Sequence, residues 1–219
     1  MSEYAGVLTI YEIYASVQGE STHVGRPCVF VRLAACNLRC VWCDTPYAFT
    51  GGTKKSVDDV VREVDAFGAR VVEITGGEPM LQREVTVLMQ TLLDTGHEVL
   101  LETGGHIPLD EVPEAVVAIV DVKCPGSGES AKMHWPNLEQ LSPHDEVKFV
   151  IADRVDFEYA CEVVKRYDLT ARAAAVLFSP VHGALEPAEL ARWILAARVP
   201  VRLQLQQHKY IWSPETRGV

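Results

Sequence analysis

No apolar run in the 219-residue sequence approaches the roughly 20 residues a membrane-spanning helix needs, although 48% of the chain is hydrophobic. Solubility and a large core are the expectation. Residues 1–5 carry neither the basic start nor the apolar stretch of a secretory signal, so the chain is expected in the cytoplasm. Clusters of Lys and Arg are also missing. With 20 basic against 30 acidic residues, the formal net charge of -10 would repel a phosphate backbone, and neither nucleic acid nor a membrane is an expected partner. Cysteine is scarce: Cys28, Cys36, Cys40, Cys43, Cys124 and Cys161 are too few and too unevenly spaced for a disulfide framework. Low-complexity stretches and linkers are absent, which predicts one domain over residues 1–219.

The patterning that is present alternates. Strand character marks 7–16, 28–33, 70–74, 98–102, 116–122, 146–151, 174–178 and 201–205. Helical periodicity marks 57–67, 84–94, 154–167 and 187–197. Ser56-Val57-Asp58-Asp59 resembles a capping box at the first helix start, and Gly68 and Gly96 stop the first two helices. Alternation of this kind implies a mostly parallel sheet with right-handed crossovers. Eight full strand-helix units take about 250 residues. The predicted fold is therefore α/β, an incomplete TIM-type barrel of about six parallel strands with helices outside, and a flat doubly wound sheet is the rival.

Both architectures collect functional loops at the carboxyl ends of the strands. The unusual residues all follow strands. Three cysteines come after Leu33, Thr75-Gly76-Gly77-Glu78-Pro79 after Ile74, Thr103-Gly104-Gly105 after Glu102, and Lys123-Cys124-Pro125 after Val122. Ser179-Pro180 comes after Phe178 and Gln206-Gln207-His208-Lys209 after Leu205. Six segments are expected to meet on one face.

Cys36, Cys40 and Cys43 have the spacing C-x3-C-x2-C, with Trp42 just before the last cysteine. Three thiolates can hold a 4Fe-4S cluster and leave one iron without a protein ligand, open to a substrate or cofactor. The alternative is a Cys3His zinc knuckle closed by His23, His106 or His208. Structural zinc usually organises a module with no core of its own, whereas these cysteines sit on a loop of a well-furnished domain, which favours the cluster.

With its aromatic residue in place, the triplet resembles the signature of the radical S-adenosylmethionine (SAM) superfamily. Thr75-Gly76-Gly77-Glu78-Pro79 resembles that superfamily's G-G-E-P loop, whose glycines let the backbone approach the SAM amino group closely. Within the superfamily the chain resembles, nearly end to end, the ring-contracting lyases of deazapurine biosynthesis. Val17-Gln18-Gly19-Glu20-Ser21, Phe30-Val31-Arg32-Leu33, Cys43-Asp44-Thr45, Gln207-His208-Lys209 and Arg217-Gly218-Val219 carry that likeness.

The resemblance implies a 4Fe-4S cluster on Cys36, Cys40 and Cys43, SAM, and Mg2+ on Thr45. It implies conversion of 6-carboxy-5,6,7,8-tetrahydropterin to 7-carboxy-7-deazaguanine with loss of ammonia, in queuosine or another 7-deazapurine pathway. Hydrogen is taken from C6 of the pterin and SAM is regenerated. SAM contacts are implied for Trp42, Asp44, Gly77, Glu78, Lys123, Pro125 and Ser179. Val17, Gln18, Gly19, Glu20, Arg32, Thr75 and His208 are the implied substrate residues; Arg32 offers a planar fork to a carboxylate, and Gln18, Glu20 and His208 offer hydrogen bonds to ring edges. Implied partners are an electron donor such as flavodoxin or ferredoxin and a second copy in a homodimer. Outside the family reading, Cys28 and Cys161 read as small buried hydrophobes and Cys124 stays ambiguous. Leu190, Trp193 and Ile194 read as helix packing. A glycyl-radical activase, which shares the triplet but acts on a protein, is the competing enzyme reading.

Overall fold

The computed structural model describes residues 6–219; the segment 1–5, on which the cytoplasmic expectation rests, lies outside them. Strands β1 (Val7–Val17), β2 (Pro27–Leu33) and β3 (Thr53–Ser56) come first, followed by α1 (Val57–Phe67) and β4 (Val71–Gly76). Next are α2 (Val85–Asp94), β5 (Glu98–Thr103), β6 (Val117–Asp121), α3 (Pro136–Glu139) and β7 (Glu146–Ile151). The chain continues through α4 (Arg154–Arg166), α5 (Leu169–Arg172), β8 (Ala175–Pro180), α6 (Pro187–Ala197), β9 (Arg202–Leu203) and α7 (His208–Ile211). Helix α1 starts as its sequence predicts: Ser56 accepts a hydrogen bond from the Asp59 amide at 3.1 Å, and Gly68 ends it in the left-handed conformation at φ 70°.

The strands form one sheet in the order β3-β1-β2-β4-β5-β6-β7-β8-β9. Strand β2 and the strands from β4 to β9 are mutually parallel. Six of them are five to seven residues long and match the predicted six; β9 adds two residues. Strands β3 and β9 each have one neighbour, so the sheet stays open.

The side chains decide between the two predicted architectures. Val31, Ile74 and Leu101 pack with Val60, Val64, Leu88 and Leu92 of α1 and α2. Val120, Phe149 and Phe178 lie in the same register phase and pack with Phe157, Val164 and Leu190 of α4 and α6. All four long helices thus cover one face, as outside a barrel, whereas a doubly wound sheet would carry them on both. The opposite phase holds a smaller apolar floor of Cys28, Phe30, Val71, Leu100 and Ile119, with buried Ala175 and Leu177 on β8. Above that floor its residues turn polar.

Three details depart from the sequence reading. Strand β1 runs antiparallel to β2, and β3 extends it as an edge strand where a loop was expected. The β3 sequence Thr-Lys-Lys-Ser has no apolar pattern, and lysines are common on sheet edges, where they discourage pairing with another chain. The strand expected over 201–205 shrinks to two residues; beyond it the Gln204 amide reaches Phe178 O at 2.9 Å, and the Gln204 side chain accepts from the Ser21 amide at 3.0 Å. Leu190, Trp193 and Ile194 do pack in the α4–α6 core, together with half-buried Cys161, while Cys28 and Cys124 are buried. Among the described residues, no helix is long and apolar enough to cross a membrane.

Candidate functional site

The loops at the carboxyl ends of the strands surround a cavity of about 720 Å³. Its construction starts at the loop after β2. Ala35 is held at φ 77°, a left-handed conformation uncommon for a residue with a Cβ, by hydrogen bonds from its amide to Ala48 O (2.9 Å) and from the Glu78 amide to its carbonyl (2.8 Å). The loop after β4 lies directly against it. A Cβ on Gly77 would collide with the Ala35 backbone and come within 2.9 Å of Cys36 Cβ, and one on Gly76, at φ 150°, would meet Leu33. The paired glycines are therefore a steric requirement of docking the second loop on the cysteine loop.

Glu78 completes that junction. Its buried carboxylate accepts from the Met80 amide (3.0 Å), the Thr103 hydroxyl (2.8 Å) and the Gly104 amide (2.9 Å), joining the loops after β4 and β5. Burial raises its pKa above the ordinary carboxylate value. His106, from the loop after β5, hydrogen-bonds Asn37 Oδ1 through Nε2 at 2.5 Å and so braces the cysteine loop from outside.

Cys36, Cys40 and Cys43 all line the cavity, and burial pushes the Cys36 and Cys40 thiols up. Among the described residues, no three His, Cys, Asp or Glu side chains converge to hold a single ion. That geometry does not suit a zinc knuckle. His23 lies beside Arg26 and Glu98, His106 on Asn37, and His208 against Gly19. Three soft thiols lining one cavity, with no fourth protein ligand among the described residues, do suit a cluster whose irons each take one thiolate. Thr45 Oγ1 lies in the same cavity, 3.9 Å from Cys43 Sγ, as an oxygen donor available to a hard cation.

The residues expected to meet the substrate, Val17, Gln18, Gly19, Glu20, Arg32, Thr75 and His208, all line the same cavity. Gly19 is small because His208 packs where its Cβ would be, and its carbonyl accepts from the Gln207 amide at 2.9 Å. Arg32 donates Nε to Glu12 at 2.7 Å and Nη2 to Tyr14 at 3.0 Å. Burial works against its charge, but Tyr14, Tyr47 and Glu12 outweigh that and raise its pKa. Segment 18–26 is pinned over the amino ends of β5 and β7: Arg26 grips Glu98 at 2.6 and 2.7 Å, and the Thr22 amide reaches the Glu146 carboxylate at 3.1 Å.

Of the residues expected on the SAM side, Trp42, Asp44, Gly77, Glu78 and Lys123 line the cavity. Pro125, exposed, and Ser179, buried, do not. Asp44, itself exposed, is paired with Lys209 at 3.1 Å and Gln206 at 3.3 Å, which hold its pKa below the ordinary value. Cys124 is buried in the α4–α6 core and is absent from the cavity wall.

Sequence reasoning missed the inward-facing residues of the strands themselves. Glu73, Glu102, Asp121 and Lys148 line the cavity from β4, β5, β6 and β7. A charge inside an otherwise apolar strand run, as in Val71-Val72-Glu73-Ile74, was the available signal. Residues 214–219 also line the cavity, with the Arg217 guanidinium 4.2 Å above the Tyr47 ring.

A partial parallel barrel with three cavity-facing thiols on its first βα loop and a Gly-Gly loop docked against them defines a radical SAM enzyme, and residues 31–168 match the Radical SAM superfamily. The 7-carboxy-7-deazaguanine synthase of Koribacter versatilis is 50% identical over 226 aligned positions, which cover 97% of this chain and 100% of that one. That of Chlorobaculum tepidum is 44% identical, covering 97% of each chain. The chain belongs to the 7-carboxy-7-deazaguanine synthase family of radical SAM enzymes. The solved structure of QueE from Escherichia coli superposes with a TM-score of 0.76 over 92% of this chain and 95% of that one, at 23% identity, a likeness of fold. Membership carries the cofactor set of a 4Fe-4S cluster, SAM and Mg2+, and the need for a reductant. It sets aside the zinc-module and activase readings.

Proposed function

We propose that the cavity binds 6-carboxy-5,6,7,8-tetrahydropterin opposite the cysteine loop and converts it to 7-carboxy-7-deazaguanine with loss of ammonia. One observation carries this reading: the three thiols and the Gly-Gly loop share a single cavity with Gln18, Glu20, Arg32, Thr75 and His208. When bound, the reduced cluster and SAM supply hydrogen abstraction that no side chain can perform. The chain's own residues position the ring and exclude water.

Arg32, whose guanidinium is already oriented by Glu12 and Tyr14, takes the substrate carboxylate. Gln18, Glu20, Thr75 and His208 hydrogen-bond the ring, and Val17 and the Gly19 backbone flank it. Thr45 contributes one oxygen to Mg2+. SAM lies along Trp42, Asp44, Gly77, Glu78 and Lys123, while Pro125, in the loop after β6, and Ser179, in β8, stand off the cavity wall. Lys123 suits a carboxylate-bearing cofactor: burial opposes its charge, but Asp121 at 2.7 Å and the Cys40 thiol outweigh that and raise its pKa.

Residues 1–219 act as one domain, which a single continuous sheet supports. A flavodoxin or ferredoxin serves as electron donor. The six free cysteines favour a reducing compartment such as the cytoplasm. Exposed Leu195, Leu203, Tyr210 and Ile211 give apolar surface for a homodimer. The reconstituted protein, assayed anaerobically with SAM, Mg2+, reductant and the pterin, is expected to release the deazaguanine. SAM cleavage without that product would overturn the substrate assignment.

A further inference from the structure

Lys148 projects from the middle of β7 into the cavity, with its side chain only 6% exposed. Its ammonium lies 3.1 Å from Glu20 Oε2 and pairs with Glu102 Oε1, bridging the segment after β1 to β5. Glu20 is gripped further by Gln204 on Oε2 and Gln206 on Oε1, each at 3.0 Å. Glu73 stands behind, hydrogen-bonded by Gln18 Nε2.

The other charges around this floor are already matched. Asp121, the register partner of Lys148 on β6, pairs with Lys123 at 2.7 Å, and Asp44 pairs with Lys209 at 3.1 Å. His208, half-buried, is disfavoured as a cation by burial. Among the described residues, Glu20 and Glu102 therefore share the ammonium of Lys148, and Glu73 stands beside them without touching it. Such a buried group is a poor stabiliser, because desolvating the charges offsets most of their attraction, and apolar residues replacing the whole group would hold the fold about as well. Its position on a ligand cavity wall points to ligand binding instead.

On the reading that this cavity binds the pterin, we propose that Lys148 is the positioning residue of the ring-binding floor: it fixes Glu20 and Glu102 as paired, ionised acceptors for the N–H donors of an aminopyrimidinone edge. An ionised carboxylate only accepts hydrogen bonds, whereas a protonated one also presents a donor. A ring edge that carries adjacent N–H groups needs the first. The local electrostatics agree. Burial pushes Glu20 up, but the Lys148 charge and the Gln206 hydrogen bond outweigh it and leave its pKa below the ordinary value. Glu73, which the ammonium does not touch, is raised well above it by burial and by the charges of Glu102 and Glu20. Removal of Lys148 leaves three crowded carboxylates that take up a further proton at neutral pH.

The test compares wild type, Lys148→Met, Lys148→Gln and Lys148→Arg as reconstituted holoenzymes, by pterin kinetics across pH and by iron content. Lys148→Met is expected to raise the pterin KM about tenfold or more, and to move the acid limb of kcat/KM up by about one pH unit, with iron content unchanged. Lys148→Arg is expected to keep the wild-type acid limb. A Lys148→Met protein that melts earlier but retains wild-type KM and pH profile would show a structural role only. If that variant does not fold, Lys148→Gln is read by the same criteria, and a shifted acid limb in Lys148→Arg contradicts the inference on its own. Wild-type failure to turn over the pterin would instead overturn the substrate reading, and this inference with it.

Discussion

His106 shows how a single side chain can matter without touching a ligand. It is the brace on Asn37, and its Nδ1 is buried with no hydrogen-bond partner, 3.6 Å from Glu78 Oε2. Burial, aided by Lys123 and Lys132, lowers its pKa from 6.5 to about 4. The sign of the linkage follows: above 6.5 the ring is neutral in both folded and unfolded chains, and His106 adds no pH dependence. As pH falls from 6.5 toward 4, the unfolded chain takes up a proton that the folded chain refuses, and stability is lost across that window. Chemical denaturation of wild type and His106→Gln between pH 7 and 4 is expected to show wild type losing stability more steeply, and parallel curves would argue that the ring is solvated. Arg32 works differently, through contact. With Nε and Nη2 already donated to Glu12 and Tyr14, its plane is set before any ligand arrives.

Individual loops and strands explain which parts of the site could be read from the sequence. The cysteine triplet was legible from its spacing, and the Gly-Gly-Glu-Pro run and the Val17–Ser21 segment were legible as contiguous stretches that resemble the family's motifs. Lys148, Glu102 and Glu73 were not, because each is one residue in a different strand, and only the curvature of the sheet decides which phase faces inward. Pro125 falls off the cavity wall because the register of a loop is set by its packing, which spacing cannot supply, and Ser179 does so because it is a buried residue of β8 rather than of the loop after it. The Gly-Gly loop itself yields a sharp expectation. Overpacking usually costs about 1–3 kcal/mol. In Gly77→Ala the new methyl collides with Ala35 and Cys36, so the strain falls on the cysteine loop. Reconstituted Gly77→Ala is expected to keep its far-UV circular dichroism and to lose most of its bound iron; full iron loading would mean that the two loops are not docked as described.

The molecule as a whole is an asymmetric device, with a helix-covered outer face that holds it together and a polar inner face that does the chemistry. The alternation of strands and helices made the parallel sheet legible from the sequence, and the 219-residue length made a closed eight-stranded barrel improbable. The antiparallel β1–β3 edge was not legible, since β3 pairs through backbone with no apolar signal of its own. Openness has a functional consequence: the cavity is bordered by loops and by residues 214–219 rather than by a complete ring of strands, so a ligand larger than a metal ion can enter. Tracing hydrogen tests most directly whether that cavity joins SAM to a carboxylated pterin. Turnover of the C6-deuterated pterin under anaerobic conditions should place deuterium in recovered SAM, with deazaguanine accumulating well beyond 5'-deoxyadenosine. Deuterium-free SAM, or 5'-deoxyadenosine formed in step with product, would contradict it.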